Sequence, residues 1–461
     1  MLVVARGEAV RNFLYSDTLP ALSKKARVTL LSAIDDDEIL APASPYVEQV
    51  LPLKEEQENL FLTSFRYTLH MAHMRWMWTE AFKFHWFIHT HRPKKHSVRL
   101  QRRLGKLLAL PLANRSALEN LTPVERHLSY TWRTTHYYDD LFTQLKPDLI
   151  FNCSQIHGEQ SNLPMRIANQ MGILTAVFLF SWDNLTSRSR IFVPYDYYLC
   201  WNEAIKQQLL EIYPEIQPEQ VHVTGTPQFD FHFKAEFWLS RDELCGRMGI
   251  DPERPYILYT TGMDRDFGDE HRIVEGVIQY LRAIDLVPKP QLVVRTYIKG
   301  TSPDMLALAE RGDPDVIFPT VQWESKWTTP LYEDLAIYTS LLKHCALGIN
   351  AASTVSLELM IHDKPVINLG FEPPGSNLPE YARFARHVDY EHYRPVAQSG
   401  AVMLARSMDD LLEMIYSSLT DPDMGSGQRK QFINKFFDKR LDGNSGQRVA
   451  EELLRITRNL T

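Results

Sequence analysis

At 461 residues the chain is too long for one hydrophobic core, which calls for two domains. Hydrophobic residues make up 44% and charged residues 23%, the balance of an ordinary globular protein, and a net charge of −7 argues against a nucleic-acid partner. The four cysteines (Cys153, Cys200, Cys245 and Cys345) lie far apart with no metal-ligand spacing, which fits reduced thiols in a cytosol. The opening MLVVARGEAVRNFLYS becomes charged too soon for a secretory signal, and no run approaches the roughly 18 apolar residues of a membrane span. The expectation is a soluble, intracellular protein of two domains.

In chain order, short apolar runs alternate with amphipathic ones. Residues 2–5 (LVVA), 26–34, 147–154, 173–180, 195–202 and 220–226 read as buried strands, and 8–23, 160–171 and 203–212 as helices. A second series opens at 255–262 (PYILYTTG) and runs through strands at 291–297, 316–319, 346–350 and 365–370. Its helices are expected at 270–284, 304–311, 331–344 and 354–362. Strand–helix alternation argues for parallel sheets with helices on both faces. Two such series predict an α/β protein of two facing, Rossmann-like, doubly wound domains, 1–226 and 243–440, with a linker near 226–242 and a last helical stretch, from 428 on, that packs back on the first domain.

In open α/β sheets ligands bind beyond the carboxyl ends of the strands, at helix N-termini. For two facing domains that is the cleft between them, which directs attention to a few loops. In INAASTVSLELMIHDKPVINLG, small residues after Asn350 let backbone approach a ligand, and Ser353 and Thr354 open a helix whose N-terminus favours an anion. Glu358 stands outside capping-box distance of either hydroxyl and could grip ribose hydroxyls. The bland alternative makes Ser353 a plain N-cap and Glu358 a solvated residue. Gly262 permits backbone approach to phosphate after the first strand of the second series, and Arg295 and Lys299 supply cations at the next strand end. The Asp264–Arg265–Asp266 triplet is too weak a pattern to predict a metal. In the first series SQIHGEQSN and SWDNLTSR place His157, Glu159 and Asp183 after adjacent strands, where any of them could act as a base or simply brace a loop.

Residues 61–110 stand apart. They hold ten Lys or Arg and a single acid, Glu80, interleaved with Trp76, Trp78, Trp86 and several Phe. Trp76, Trp78 and Trp86 with Lys94, Lys95, Arg102 and Arg103 form a candidate acceptor or membrane face, since such a mix suits an anionic membrane interface. The alternative packs the aromatics on the first domain and leaves the cations solvated. Histidines here lack the carboxylates or thiols that would complete a metal site.

The paired domains, VTGTPQFD at the junction and INAASTVSLELMIHDKPVINLG together resemble a GT-B glycosyltransferase. More narrowly they are similar to bacterial surface-polysaccharide enzymes and the CDP-glycerol glycerophosphotransferase group. Sugar-nucleotide epimerases share that architecture. The resemblance implies a UDP- or CDP-linked donor with no further cofactor and no metal, its diphosphate on Ser353 and Thr354 and its ribose on Glu358. It implies transfer of a sugar, or a group such as phosphoglycerol, to a hydroxyl of a glycan or lipid-linked acceptor. Where relatives carry Arg-x-His-Pro this chain has Arg295-Thr-Tyr-Ile, so the histidine of that pattern is missing. The competing expectations are a sugar-nucleotide 2-epimerase and a non-catalytic binding subunit.

Overall fold

The computed structural model describes all residues except 56, 92–94, 156–158, 264–265, 299, 381–382 and 459–461, and leaves the side chains of Thr90 and Glu159 undescribed. The chain divides into two compact units, Met1–Gln228 with Asn444–Thr461, and Phe229–Gly443.

Unit 1 is built on seven parallel strands: β1 (Leu2–Val4), β2 (Thr29–Ser32), β3 (Gln49–Pro52), β4 (Leu149–Gln155), β5 (Leu174–Leu179), β6 (Tyr197–Cys200) and β7 (Val221–Val223). Their order is β3-β2-β1-β4-β5-β6-β7. The central strands are buried on both faces, as their continuous apolar runs require. Strand β3 was not expected from sequence. It lies at the sheet edge, mostly exposed and ending in Pro52, so it carries no buried run to announce it.

The segment between β3 and β4 folds as a helical insert whose first four helices are Leu60–Met77, Glu80–His91, His96–Ala109 and Arg115–Thr131. Its small core joins Met71, Ala72, Met74, Phe82, Ala109 and Leu118, with Trp76 and Trp86 packed against them. Glu125, fully buried, holds Arg66 Nε at 2.6 Å and Arg166 Nη2 at 3.0 Å, and accepts Ser129 Oγ at 2.8 Å. That ties the insert to the helix after β4, Asn162–Gln170, which carries Arg166.

Unit 2 carries six parallel strands: β8 (Tyr256–Thr260), β9 (Gln291–Arg295), β10 (Val316–Ile317), β13 (Leu347–Asn350), β14 (Val366–Leu369) and β15 (Met403–Ala405). A short antiparallel pair, β11 (Trp323–Glu324) and β12 (Thr329–Pro330), stands apart from them. The order β10-β9-β8-β13-β14-β15 repeats the 3-2-1-4-5-6 pattern of the doubly wound dinucleotide fold. Gly348 in β13 has a packing reason: a Cβ there would lie 2.2 Å from Leu359 Cδ1, so the helix after β13 seats directly on the strand.

Two helices differ from expectation. Residues 8–23 break into a π-helical turn, Val10–Leu14, and the helix Thr18–Ser23. The stretch from 428 on is two helices, Ser426–Phe436 and Ser445–Arg458, interrupted where Asp438, Lys439 and Gly443 take positive φ. The first belongs to unit 2, where Arg429 Nε donates to Asp363 Oδ1 at 2.9 Å. The second belongs to unit 1, where Gly446 comes so close that an added Cβ would meet Thr18 N at 3.1 Å.

Candidate functional site

In a 3-2-1-4-5-6 sheet the strand order reverses between the first and fourth strands, here β8 and β13, and the crevice beyond their carboxyl ends is the place for a ligand. Three registered neighbours end there side by side: Arg295 on β9 pairs with Thr260 on β8, which pairs with Asn350 on β13. All three are buried or nearly so, and each keeps a buried polar atom without a partner among the described residues: Arg295 Nη1, Thr260 Oγ1 and Asn350 Nδ2. Buried polar groups are normally satisfied, so three unpartnered atoms in one row are open to water or to a ligand's oxygens.

The rest of each side chain is fixed. Asn350 Oδ1 accepts Ser353 N at 3.1 Å, Ser353 Oγ at 3.2 Å, Ser356 Oγ at 3.0 Å and Asn368 Nδ2 at 3.2 Å. Tyr393 Oη closes this network on Ser356 and Asn368, each at 2.7 Å. With its Oδ1 so engaged, the Asn350 amide nitrogen has one orientation. The turn it braces is tight: Ala352 sits at φ 40°, unfavourable for a residue with a Cβ.

Of the predicted donor residues, Ser353, Thr354 and Glu358 follow Asn350 in the chain and Arg295 ends β9. Ser353 and Thr354 are half-buried at the start of the helix Val355–Ile361, and Ser353 Oγ accepts Val355 N at 3.3 Å while bonding Asn350. Glu358 is not the solvated residue of the bland alternative. Only 4% exposed, it accepts Tyr338 Oη at 2.5 Å and lies 3.6 Å from His232 Nε2. His232 in turn shares a hydrogen bond of 3.0 Å with His362, whose burial, with His232 nearby, pushes its pKa down to about 2, so that ring stays neutral.

Arg295, expected as a free cation, donates to Asp334 Oδ2 at 2.6 Å and lies over the Tyr338 ring at 5.0 Å, while its Nη1 is buried without a partner among the described residues. Asp334 also takes Trp323 Nε1 at 2.8 Å. Gly262 was expected to open the backbone to phosphate. Its N–H is instead taken by Glu270 Oε2 at 3.0 Å, and Phe267 fills the space where a Cβ would stand, 2.2 Å from Cδ2. Lys299, Asp264 and Arg265 lie outside the described residues, and no group able to hold a metal is found among those described.

In unit 1, Asp183 is half-buried ahead of the short helix Asn184–Ser187 and accepts Ser187 Oγ at 2.7 Å. His157 and the Glu159 side chain lie outside the described residues. On the basic insert, Trp76 and Trp86 turn toward its core, and Trp78 packs edge-on against Trp86 with Arg75 over its ring at 4.2 Å. Lys95 and Arg103 are exposed, Arg102 is half-buried, and Lys94 lies outside the described residues. Among the apolar side chains of the insert that face solvent, four are leucines on the helix His96–Ala109: Leu100 (60% exposed), Leu104 (51%), Leu107 (63%) and Leu108 (62%). Their i, i+4, i+7, i+8 spacing, readable in sequence, places them in one stripe. No helix among the described residues is long and apolar enough to cross a membrane.

These two units define a GT-B-like architecture of paired doubly wound domains, and solved structures share it across nearly the whole chain. The putative UDP-N-acetylglucosamine 2-epimerase of Listeria monocytogenes matches with a TM-score of 0.56 and 13% identity over 97% of this chain and 94% of that one. The UDP-GlcNAc 2-epimerase of Neisseria meningitidis, solved with UDP-GlcNAc bound, matches with a TM-score of 0.51 and 12% identity over 98% of each chain. A glycosyltransferase of Rickettsia africae matches with a TM-score of 0.51 and 10% identity over 100% and 98%. No protein-family model matches the sequence, and no curated protein sequence does.

Proposed function

We propose that the chain is an enzyme acting on a nucleotide-activated sugar, that unit 2 binds the nucleotide at the ends of β9, β8 and β13, and that the sugar is transferred to a hydroxyl of a glycan or lipid-linked acceptor. The row of unpartnered atoms on Arg295, Thr260 and Asn350 carries this reading. A cationic N–H, an amide N–H and a hydroxyl side by side suit diphosphate oxygens, with Ser353 and Thr354 beside them. Glu358 is then assigned to the ribose hydroxyls, an ionised carboxylate being an acceptor for such donors, alongside its contacts with Tyr338 and His232. The neighbouring structure solved with UDP-GlcNAc supports the ligand class, with UDP or CDP as the nucleotide. The acceptor base is proposed among His157, Glu159 and Asp183.

A 2-epimerase is the second reading, favoured by the epimerase neighbours. Product analysis separates the two. Under the transfer reading, UDP-GlcNAc or another nucleotide sugar releases free nucleotide only when membranes or glycan are supplied. Interconversion of two nucleotide sugars without acceptor would replace transfer by epimerisation, and no consumption of any nucleotide sugar would remove both.

The acceptor's setting is proposed as an anionic bilayer surface. The leucine stripe of His96–Ala109 has no partner surface among the described residues and is bordered by Lys95, Arg99 and Arg103, with no acid between Glu80 and Glu119. Exposed apolar area edged by cations fits the headgroup–acyl boundary of an anionic leaflet. The protein should sediment with phosphatidylglycerol vesicles, less so at high salt, and Leu104→Glu with Leu107→Glu should abolish this. If the double variant instead changes the oligomeric state and leaves vesicle binding intact, the stripe joins two copies and the membrane contact falls.

A further inference from the structure

A second cavity site lies wholly in unit 1. About 330 Å³ of space opens between the helical insert and the end of β4, lined by Arg66, Tyr67 and His70 from Leu60–Met77, Arg102 from His96–Ala109, Gln155 at the end of β4, and Arg190. This is at the small end of ligand pockets, the size of a monosaccharide phosphate rather than a nucleotide sugar.

Charge decides what it takes. Arg66 is matched: with Arg166 it shares Glu58 and Glu125, two guanidiniums against two carboxylates. Arg102 and Arg190 have no carboxylate partner among the described residues. Arg102 donates to His89 O at 2.9 Å, and Arg190 Nε donates to Thr122 Oγ1 at 2.8 Å. His70 adds no charge, because burial and the neighbouring His89 hold its pKa well below 6.5. Among the described residues the cavity therefore carries two positive charges without a carboxylate against them. Two of its lining atoms, Tyr67 Oη and His70 Nδ1, are buried without a hydrogen-bond partner among the described residues. The guanidinium fork matches phosphate oxygens, and a phosphomonoester dianion equals the surplus charge.

We infer that this cavity binds a phosphomonoester of about sugar size, its phosphoryl group on Arg102 and Arg190 and its hydroxyls toward Tyr67, His70 and Gln155. The inference stands apart from the nucleotide reading of unit 2. The phosphomonoester comes either free in solution or as a lipid headgroup, and the helix that presents Arg102 inward is the one whose leucines face outward.

The test is calorimetric titration of the full chain with inorganic phosphate and N-acetylglucosamine 1-phosphate, with N-acetylglucosamine as the neutral control. Both anions should bind and the neutral sugar should not. Arg102→Gln and Arg190→Gln should each weaken binding at least about tenfold, while Lys24→Gln, exposed elsewhere in unit 1, leaves it unchanged. Arg190 is buried and its variant could fail to fold, whereas the half-buried Arg102 keeps the test open. No binding of either anion to folded protein, or affinity unchanged in Arg102→Gln, overturns the inference. Vesicles resolve the source: loss of phosphatidic acid binding in Arg102→Gln, with phosphatidylglycerol binding kept, assigns the lipid phosphomonoester, and loss confined to the soluble ester assigns the free one. UDP titrated into the same variants should bind as in the wild type, so failure here is distinguishable from failure of the nucleotide site.

Discussion

Glu125→Ala is expected to cost unit 1 about 3–5 kcal/mol, because removing one partner of a buried ion pair leaves the other charge uncompensated. Here two guanidiniums, Arg66 and Arg166, lose that partner at once and are left to share the single carboxylate of Glu58, while Ser129 loses its acceptor. For a unit of this size the loss reads as a fall of roughly 10 °C in the unfolding midpoint, followed by circular dichroism. Glu119→Ala, exposed on the same helix, should stay within about 0.5 kcal/mol of wild type. Equal midpoints for the two variants would show that the network does not hold the insert. The network also has a pH signature. Burial alone would raise the Glu58 carboxyl, but Arg66 outweighs it and the folded pKa is lowered from 4.5. A lowered carboxylate pKa means its stabilisation is present above the unfolded value and is lost as pH falls through the folded one.

Asn350→Asp should reduce UDP affinity on the order of 100-fold while leaving the fold intact. The change keeps Oδ1, and with it the bonds from Ser353, Ser356 and Asn368. It converts the unpartnered Nδ2 from a donor into an anionic oxygen where the proposal places a diphosphate, and like charges at close range cost several kcal/mol. Glu358→Gln is the companion. Near-isosteric, it can still accept from Tyr338, but it loses a charged acceptor for ribose, expected to cost roughly tenfold or more. Unchanged UDP affinity in both variants, with wild-type unfolding midpoints, would make the Asn350 network and Glu358 purely structural.

The parallel sheets were legible because strands buried on both faces leave unbroken apolar runs, as in LVVA, PYILYTTG and ALGIN. The edge strands β3 and β15 were not, since short, partly exposed strands leave no such mark. In the candidate site the stretch from Asn350 to Glu358 was readable from small residues followed by hydroxyls and a carboxylate. What escaped was partnership across sequence distance. Asp334 is 39 positions from Arg295, His232 is 126 from Glu358, and Tyr338 meets both Arg295 and Glu358 only through folding. Thr260 and Asn350 read as the ordinary ends of strands, and nothing local shows that strand register would set them beside Arg295. In the insert, aromatic content drew attention to Trp76, Trp78 and Trp86, while the leucine spacing of residues 100–108 held the information about the outward face.

Titration of UDP into the full-length wild-type chain, by calorimetry, tests the central claim most directly. The account predicts saturable binding at one site per chain, unaffected by removal of divalent metal. Absence of heat and of any thermal stabilisation at millimolar UDP, with CDP, GDP and ADP equally inert, would contradict it and leave the Arg295–Thr260–Asn350 row without a nucleotide to explain it.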